Sequence, residues 1–168
     1  DGGSRKLNNP YDVAITTIGD STYVVVTAFW DHGIEVIDIS DPTNPTSVGT
    51  FDDTGTYSGT VWDCVSSLGI IGDHRCLRHP VDVEITTIGG STYAVVAGSG
   101  DDGIEIIDIS DPTNPTSAGN TFIALGLNQD GPYDVAITTI GDSTYAVVTG
   151  YIADGIEIFD ISDPTDPS

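Results

Sequence analysis

Basic residues are almost absent from this sequence. Only four of its 168 residues are Lys or Arg, against 26 Asp and Glu, which gives a formal net charge of −22. Nucleic acids and anionic membrane surfaces repel a chain of this charge, so neither is expected as a partner. No apolar run approaches the roughly 18 residues of a membrane-spanning helix, so we expect no membrane insertion. Cations and basic proteins are the partners that this composition favours.

Sequence patterns of catalysis are also missing. There is no Gly-rich phosphate-binding loop, no nucleophile elbow and no recognisable Ser-His-Asp set. Glu35, Glu105 and Glu157 recur at one position in three related segments, and paired carboxylates can hydrolyse glycosides. A catalytic residue is normally single, however, whereas a repeated one is usually structural. We therefore predict that the protein is not an enzyme.

Helical periodicity is absent, and the chain consists instead of a repeat. The phrase VIDISDPTNPTSVG returns almost unchanged as IIDISDPTNPTSAG and again as IFDISDPTDPS. Each phrase closes a longer unit, and the second and third units are identical at 27 of 36 aligned positions (80–115 and 132–167). Such internal similarity is typical of repeat architectures. The units begin at Pro10, Pro80 and Pro132.

Each complete unit predicts four antiparallel strands. In the first copy DVAITTI is rich in β-branched residues, TYVVVTAF is nearly continuously apolar, as in a strand covered on both faces, and GIEVIDIS follows a turn. DPTNP must end this third strand because proline cannot donate to a ladder, and TSVGTF gives a shorter fourth strand. The predicted fold is all-β, with three propeller-type blades per chain. The predicted divisions are a leader (1–9), blade 1 (10–51), an insert (52–79), blade 2 (80–131) and blade 3 (132–168).

The unit resembles the repeat of a known family. Its DVAI, TYAVV and IDISDPTNP segments are similar to the pattern of the LVIVD-repeat family, and the resemblance extends over all three units. It implies a propeller fold and a tendency towards secreted or cell-surface proteins, and it implies no particular reaction. We therefore expect an extracellular or cell-surface location. Because the chain starts at Asp1, either a signal peptide has been removed or the sequence belongs to a longer protein.

The third unit has no fourth strand of its own. The sequence stops at Ser168, directly after ISDPTDP, and we expect another chain or segment to complete this blade, because an unpaired strand edge is a template for pairing. The leader (1–9) is a candidate, although Leu7 is its one large apolar residue. We expect its deletion to weaken assembly. A closed ring of two chains and a slice of a longer repeat protein are the alternatives.

Recurrent carboxylates are the candidate metal ligands. Asp12, Asp82 and Asp134 each precede the first valine of a first strand, where they could form a ring in the propeller channel and bind Ca²⁺. The favoured alternative is a turn or capping role, in which each Asp bonds its own backbone. The loop GDDG adds Asp101 and Asp102, but an Asp-Gly hairpin with the glycine at positive φ explains it, as it explains WDHG and IADG. No calcium-loop motif is present.

The insert holds both cysteines. A disulfide between Cys64 and Cys76 fits an extracellular chain, and it would stabilise the fold by about 3 kcal/mol in the chain-entropy model. A zinc site that adds His74 and His79 is the rival interpretation, although the spacing matches no common zinc pattern, and free thiols are the remaining alternative.

The four bases all lie outside the repeats, where they could dock on acidic faces of a neighbouring subunit. Aromatic residues of the insert and of the segment AFWDH add candidate contacts. The predicted assembly or partner contacts are Arg5, Lys6, Leu7, Phe29, Trp30, Trp62, Arg75 and Arg78. Ser and Thr beside the prolines could carry O-linked glycans.

The repeats, the open last blade and the lack of a catalytic set predict a structural protein. We expect it to be extracellular and to assemble with itself, for example as a subunit of a surface fibre or sheath. The alternative is a propeller module that binds glycans or proteins through its loops.

Overall fold

The structure of the chain, a computed structural model, describes residues 7–52, 77–100, 102–122, 131–150 and 155–168. Among these residues there is no helix with the length and apolarity needed to cross a membrane. The strands in these ranges are β1 (Pro10–Ile18), β2 (Ser21–Ala28), β3 (Gly33–Asp38), β4 (Thr46–Asp52), β5 (Pro80–Ile88), β6 (Ser91–Gly98), β7 (Gly103–Asp108), β8 (Thr116–Phe122), β9 (Pro132–Ile140), β10 (Ser143–Gly150) and β11 (Gly155–Asp160).

The strands form three antiparallel sheets, one from each repeat. Strands β1 to β4 pair in sequence order as blade 1, β5 to β8 pair in the same order as blade 2, and β9 to β11 form the three-stranded blade 3. The all-β fold and the propeller-type blades predicted from the sequence are confirmed. The third blade has only three strands in the described ranges, as expected.

A two-residue turn fixes the first hairpin of each blade. In blade 1, Ile18 pairs with Ser21, and the turn residue Gly19 has a φ of 62°. Gly141 has a φ of 65° at the corresponding turn of blade 3. Glycine takes this conformation without the steric cost that a side chain adds, so the GD dipeptide is a hairpin signal.

The second hairpin differs from its prediction. The positive φ lies at His32 (54°) and Asp102 (56°), one residue before the glycine that was expected to take it. Gly33 begins β3 instead. A Cβ there would overlap the Phe51 carbonyl oxygen, so close strand packing, and not turn geometry, explains this glycine.

A hydrogen-bonded corner explains the repeated DISDPTNP phrase. The Ser40 amide donates to Asp38 Oδ1 (2.8 Å), the Thr43 amide donates to Asp41 Oδ1 (2.9 Å), and the Thr22 amide of β2 donates to the Ser40 hydroxyl (3.0 Å). Hydrogen bonds from the side chains of Ser40 and Thr43, and then from their amides, hold the pKa of both carboxyls below the usual range. The same bonds recur in blades 2 and 3.

The hydrophobic core lies between the blades, because the first strands β1, β5 and β9 are neighbours and the sheets pack face to face. The cluster between blades 1 and 2 contains Val25, Ile34, Val36, Phe51, Leu77, Val83, Ala94, Val96, Ile107 and Ile109. The cluster between blades 2 and 3 contains Val81, Val95, Ala97, Ile104, Ile106, Val135, Ala146, Val148, Phe159 and Ile161.

Candidate assembly interface

Each blade has two apolar faces that carry different residues. Successive side chains of a strand point to opposite sides of the sheet, which separates the two sets. We call the side that carries Ile34 and Val36 in blade 1 the leading face. The side that carries Val83 and Val96 in blade 2 is the trailing face. The leading face of blade 1 packs on the trailing face of blade 2.

The second interface repeats the first with corresponding residues. Ile104 and Ile106 on the leading face of blade 2 pack against Val135 and Val148 on the trailing face of blade 3. All four side chains are buried. Burying one such side chain contributes about 1.5–3 kcal/mol, so each interface is a substantial part of the stability of the fold.

A hydrogen bond from an amide to a carboxylate accompanies each interface. Asp12 Oδ2 accepts from the Val83 amide (3.1 Å), and Asp82 Oδ2 accepts from the Val135 amide (2.7 Å). Both aspartates lie beside a register shift in their first strand, a local irregularity that redirects side chains. Both bonds therefore join the inner strands of neighbouring blades.

The third aspartate of this series has no such partner. Asp134 is exposed, and its carboxylate makes no hydrogen bond in the described parts of the chain. Its charge still reaches the neighbouring blade. Burial raises the pKa of Asp82 to about 7, the Val135 amide opposes the rise, and the carboxyls of Asp12 and Asp134 add to it. Asp82 therefore interacts with the carboxyls of both Asp12 and Asp134 along the inner strands.

The structure gives the calcium prediction no support. In the described ranges no group of three or more His, Cys, Asp or Glu side chains could hold a metal ion. Asp12 and Asp82 each use a carboxylate oxygen for the next blade. Asp101 lies outside the described residues, and Asp102 is a turn residue at positive φ.

The outermost faces of the three-blade array are open. Val13 and Ile15, on the trailing face of blade 1, are 56% and 66% exposed, whereas Val83 and Val135, the counterparts of Val13, are 3% and 2% exposed. On the leading face of blade 3, Ile156 and Ile158 are 59% and 57% exposed, whereas their counterparts in blades 1 and 2 are fully buried. The same residue types are thus buried wherever a further blade covers them and exposed at both ends.

Blade 3 also has an open strand edge. The Asp160 amide donates to the Ser168 carbonyl oxygen (2.6 Å), and the Ser168 amide donates to the Asp160 carbonyl oxygen (3.1 Å). This matches the pairing of Asp38 with Thr46 that begins the fourth strand of blade 1. In the described ranges no further strand lies beside β11.

The recurrent glutamates lie on the third strands of three separate blades. Glu105 is buried and accepts a hydrogen bond from the Ser117 hydroxyl. Glu35 is buried as well, and neither of its carboxylate oxygens has a hydrogen-bond partner in the described part of the chain. Glu157, on blade 3, is half-buried.

An aromatic cluster marks one end of the junction between blades 1 and 2. The Phe29 ring stacks on His79 with centroids 4.4 Å apart and planes 5° apart, and it also stacks on Tyr11 at 5.5 Å. Trp30 meets the edges of Phe29 (4.9 Å) and His79 (5.2 Å). Burial lowers the pKa of His79 to about 4, and the charges of His32 and Arg78 contribute, so this ring is neutral near pH 7. Tyr11 and Trp30 are exposed.

Only part of the predicted contact set falls in the described residues. Phe29 and Trp30 lie in the aromatic cluster, and Leu7 and Arg78 are half-buried. The Asn8 and Asn9 carbonyls accept hydrogen bonds from the amides of Trp30 and Phe29, so the end of the leader follows blade 1. The predicted residues outside the described ranges are Arg5, Lys6, Trp62, Arg75, the proposed disulfide partners Cys64 and Cys76, and the alternative zinc ligand His74.

Sequence reasoning missed the two most informative features of this interface. The hydrogen bond of Asp12 to the next blade spans 71 positions in the sequence, and that of Asp82 spans 53. The only sequence signal for these bonds was the recurrence of Asp before valine. Tyr11 and the stacking role of His79 were missed because the rings that meet are far apart in the sequence, with Phe29 between Tyr11 of the same blade and His79 of the insert.

Repeated antiparallel blades with a core between each pair define a β-repeat protein of the propeller type. The family model of the LVIVD repeat matches residues 12–53, 90–121 and 145–168. The chain therefore belongs to the LVIVD-repeat family, as its resemblance predicted. A comparison with curated proteins found no match.

Proposed function

We propose that the protein is a structural repeat protein that self-associates through the open trailing face of blade 1 and the open leading face of blade 3. The supporting observation is the contrast in burial between equivalent residues. Val13, Ile156 and Ile158 are more than half exposed, whereas their counterparts inside the array are almost fully buried. Apolar patches of this kind on a folded protein mark association surfaces.

We propose further that the assembly is extracellular, as a fibre or sheath at the cell surface. The acidic composition, with 26 acidic and four basic residues, supports this location, as does the expectation attached to the family. Antibody labelling of intact cells tests it, with labelling of the surface as the expected result. The Cys64–Cys76 disulfide, calcium binding and O-linked glycans stay predictions.

Light scattering of the full chain after size-exclusion chromatography tests self-association. We expect particles larger than one chain at micromolar concentration. Two variants each cover one open face with charge: Val13→Lys with Ile15→Lys, and Ile156→Lys with Ile158→Lys. We expect each of them to be a monomer. The matched control is Thr87→Lys with Asn114→Lys, which adds the same charge at exposed positions of the covered blade 2. A monomeric wild-type chain at all concentrations would overturn the proposal.

A second candidate function rests on the aromatic cluster of Tyr11, Phe29, Trp30 and His79. Clustered aromatic rings, with Trp30 and Tyr11 exposed, are typical of surfaces that bind sugars or proteins. In this candidate the chain is a binding module that recognises glycans through its loops. A glycan array tests it, with Trp30→Ala as the loss variant and exposed Thr87→Ala as the control. Equal signals from both variants would exclude the cluster as the binding site.

A further inference from the structure

The two internal interfaces provide a template for how copies of this chain meet. In both of them a leading face packs on a trailing face, and an aspartate of the first blade accepts a hydrogen bond from a valine amide of the next. The open ends of the array present the same two surfaces, with a trailing face on blade 1 and a leading face on blade 3.

We propose that the chain assembles with a single polarity, in which the leading face of blade 3 packs on the trailing face of blade 1 of a second copy and Asp134 accepts a hydrogen bond from the Val13 amide of that copy. This inference rests on the proposed self-association. Beyond self-association, it specifies which surface of the second copy is contacted, how that copy is oriented, and which side chain aligns the two copies.

The residue types on the two open faces support this orientation. Val147, Ile156 and Ile158 on the leading face of blade 3 have the same types as Val95, Ile104 and Ile106 of blade 2, whereas Tyr133 and Thr149 stand in place of Val81 and Ala97. The trailing face of blade 1 differs at one position from that of blade 2, which is Val24 in place of Ala94. The residues on the trailing face of blade 1 are Val13, Ile15, Val24, Val26, Ile37 and Ile39.

The carboxylates argue against packing of like faces. Two leading faces in contact would bring the two exposed Asp134 carboxylates towards each other, and like charges in a desolvated contact repel. Two trailing faces in contact would offer no carboxylate to either Val13 amide. When a leading face packs on a trailing face, the Asp carboxylate of one blade can accept a hydrogen bond from the Val amide of the next, as Asp12 and Asp82 do.

Interfaces between unlike faces close into a ring if the rotation per copy allows it, and otherwise they continue as a filament. In either case both ends of every internal copy are covered. The second copy is favoured over an unrelated partner because the exposed residues match those of an interface that this chain already forms twice.

A mixing experiment tests the polarity. The trailing-blocked variant (Val13→Lys with Ile15→Lys) keeps a working leading face, and the leading-blocked variant (Ile156→Lys with Ile158→Lys) keeps a working trailing face. We expect each alone to be a monomer and a 1:1 mixture to give a heterodimer that grows no further. Native mass spectrometry, with one variant isotopically labelled, distinguishes this heterodimer from homodimers.

The alternatives give different results. If like faces pack, the trailing-blocked variant or the leading-blocked variant forms a homodimer by itself, which overturns the polarity and leaves the proposed self-association intact. If the wild-type chain is a monomer, the proposed function fails first. If the wild type assembles but the mixture gives no heterodimer, the occupant of these faces is not a second copy in this orientation.

Asp134 is tested in the same heterodimer, in which it contributes to a single contact. We expect Asp134→Ala, placed in the trailing-blocked variant, to weaken the heterodimer by about tenfold or more. Asp134→Asn keeps an acceptor oxygen and is expected to weaken it less. Asp142→Ala removes an exposed carboxylate from the adjacent hairpin and serves as the control. Equal affinities for Asp134→Ala and this control would overturn the role of Asp134.

Discussion

A single aspartate accepts a hydrogen bond across each junction between blades. The same residue, at the same place in each repeat, is half-buried with a partner amide in blades 1 and 2, and in blade 3 it is exposed without one among the described residues. Its contribution to stability is therefore set by the presence of a neighbour.

Replacement of these aspartates should have unequal effects on folding. In the monomeric trailing-blocked variant we expect Asp12→Ala to lower the free energy of unfolding by about 1–3 kcal/mol, because the Val83 amide loses its acceptor. We expect Asp134→Ala to change it by less than about 0.5 kcal/mol, as is usual for an exposed site. Urea unfolding followed by circular dichroism measures both. A large effect of Asp134→Ala on the monomer would contradict the role given to it here.

The raised pKa of Asp82 should make stability depend on pH. The pKa of Asp82 is about 7 in the folded chain and 3.8 for an ordinary aspartate, so the folded chain retains this proton over a pH range in which the unfolded chain has lost it. The resulting stabilisation is complete below about pH 4 and is lost as the pH rises to about 7. We expect the melting temperature of the wild type to fall relative to that of Asp82→Asn over this range.

Scanning calorimetry at intervals between pH 4 and pH 8 makes the comparison. Asp82→Asn keeps an acceptor for the Val135 amide but removes the titrating group that faces Asp12 and Asp134. Asp142→Asn, in an exposed hairpin, is the control and should follow the wild type. A constant difference between wild type and Asp82→Asn at every pH would show that this carboxyl does not titrate as described.

At the scale of strands and turns, local chemistry explains most of the fold. Runs of β-branched residues predicted the strands, and the GD dipeptide and the DPTNP segment predicted where the strands end. The prediction for the second hairpin was wrong in detail. The positive φ lies at His32, and Gly33 belongs to the strand because a side chain there would overlap β4. The open faces were not predicted at all, since a strand sequence does not say whether another blade covers it.

The fourth strand depends on a glycine that touches the next blade. A Cβ on Gly49 would overlap the Pro112 carbonyl oxygen at the corner of blade 2, and one on Gly119 would overlap that of Pro164 in blade 3. Because the obstacle is backbone, it cannot move aside as a side chain can. We expect Gly49→Ala to destabilise the fold by about 1–3 kcal/mol, as overpacking does.

Thermal unfolding of Gly49→Ala measures this cost. Ser47, an exposed residue of the same strand, provides the control variant Ser47→Ala, for which we expect no significant change in melting temperature. Equal melting temperatures for the two variants would mean that the β4 strand can move away from the corner of blade 2 without loss.

On the scale of the whole molecule, apolar attraction and charge repulsion oppose each other. The open faces attract another copy, whereas a net charge of −22 repels it. Salt screens the repulsion and leaves apolar contacts in place, since the screening length falls from about 30 Å at 0.01 M to about 3 Å at 1 M. We expect assembly to increase with sodium chloride concentration.

Light scattering across this salt range provides the measurement. The trailing-blocked variant should stay monomeric throughout, which controls for non-specific association. The opposite trend, in which salt dissolves the assembly, would indicate that the contact is ionic. It would favour the interpretation that the four basic residues dock on acidic faces of a neighbour.

The position of the core between blades also bears on how such a protein evolves. Because blade 2 contributes its trailing face to one junction and its leading face to the other, a tandem duplication of such a unit adds a complete junction and damages none. Repeat proteins of this kind have stabilities that are close to a sum over units and their nearest neighbours. Gene length can then change in steps of one blade, and the agreement of the second and third units at 27 of 36 positions is what such a duplication leaves behind.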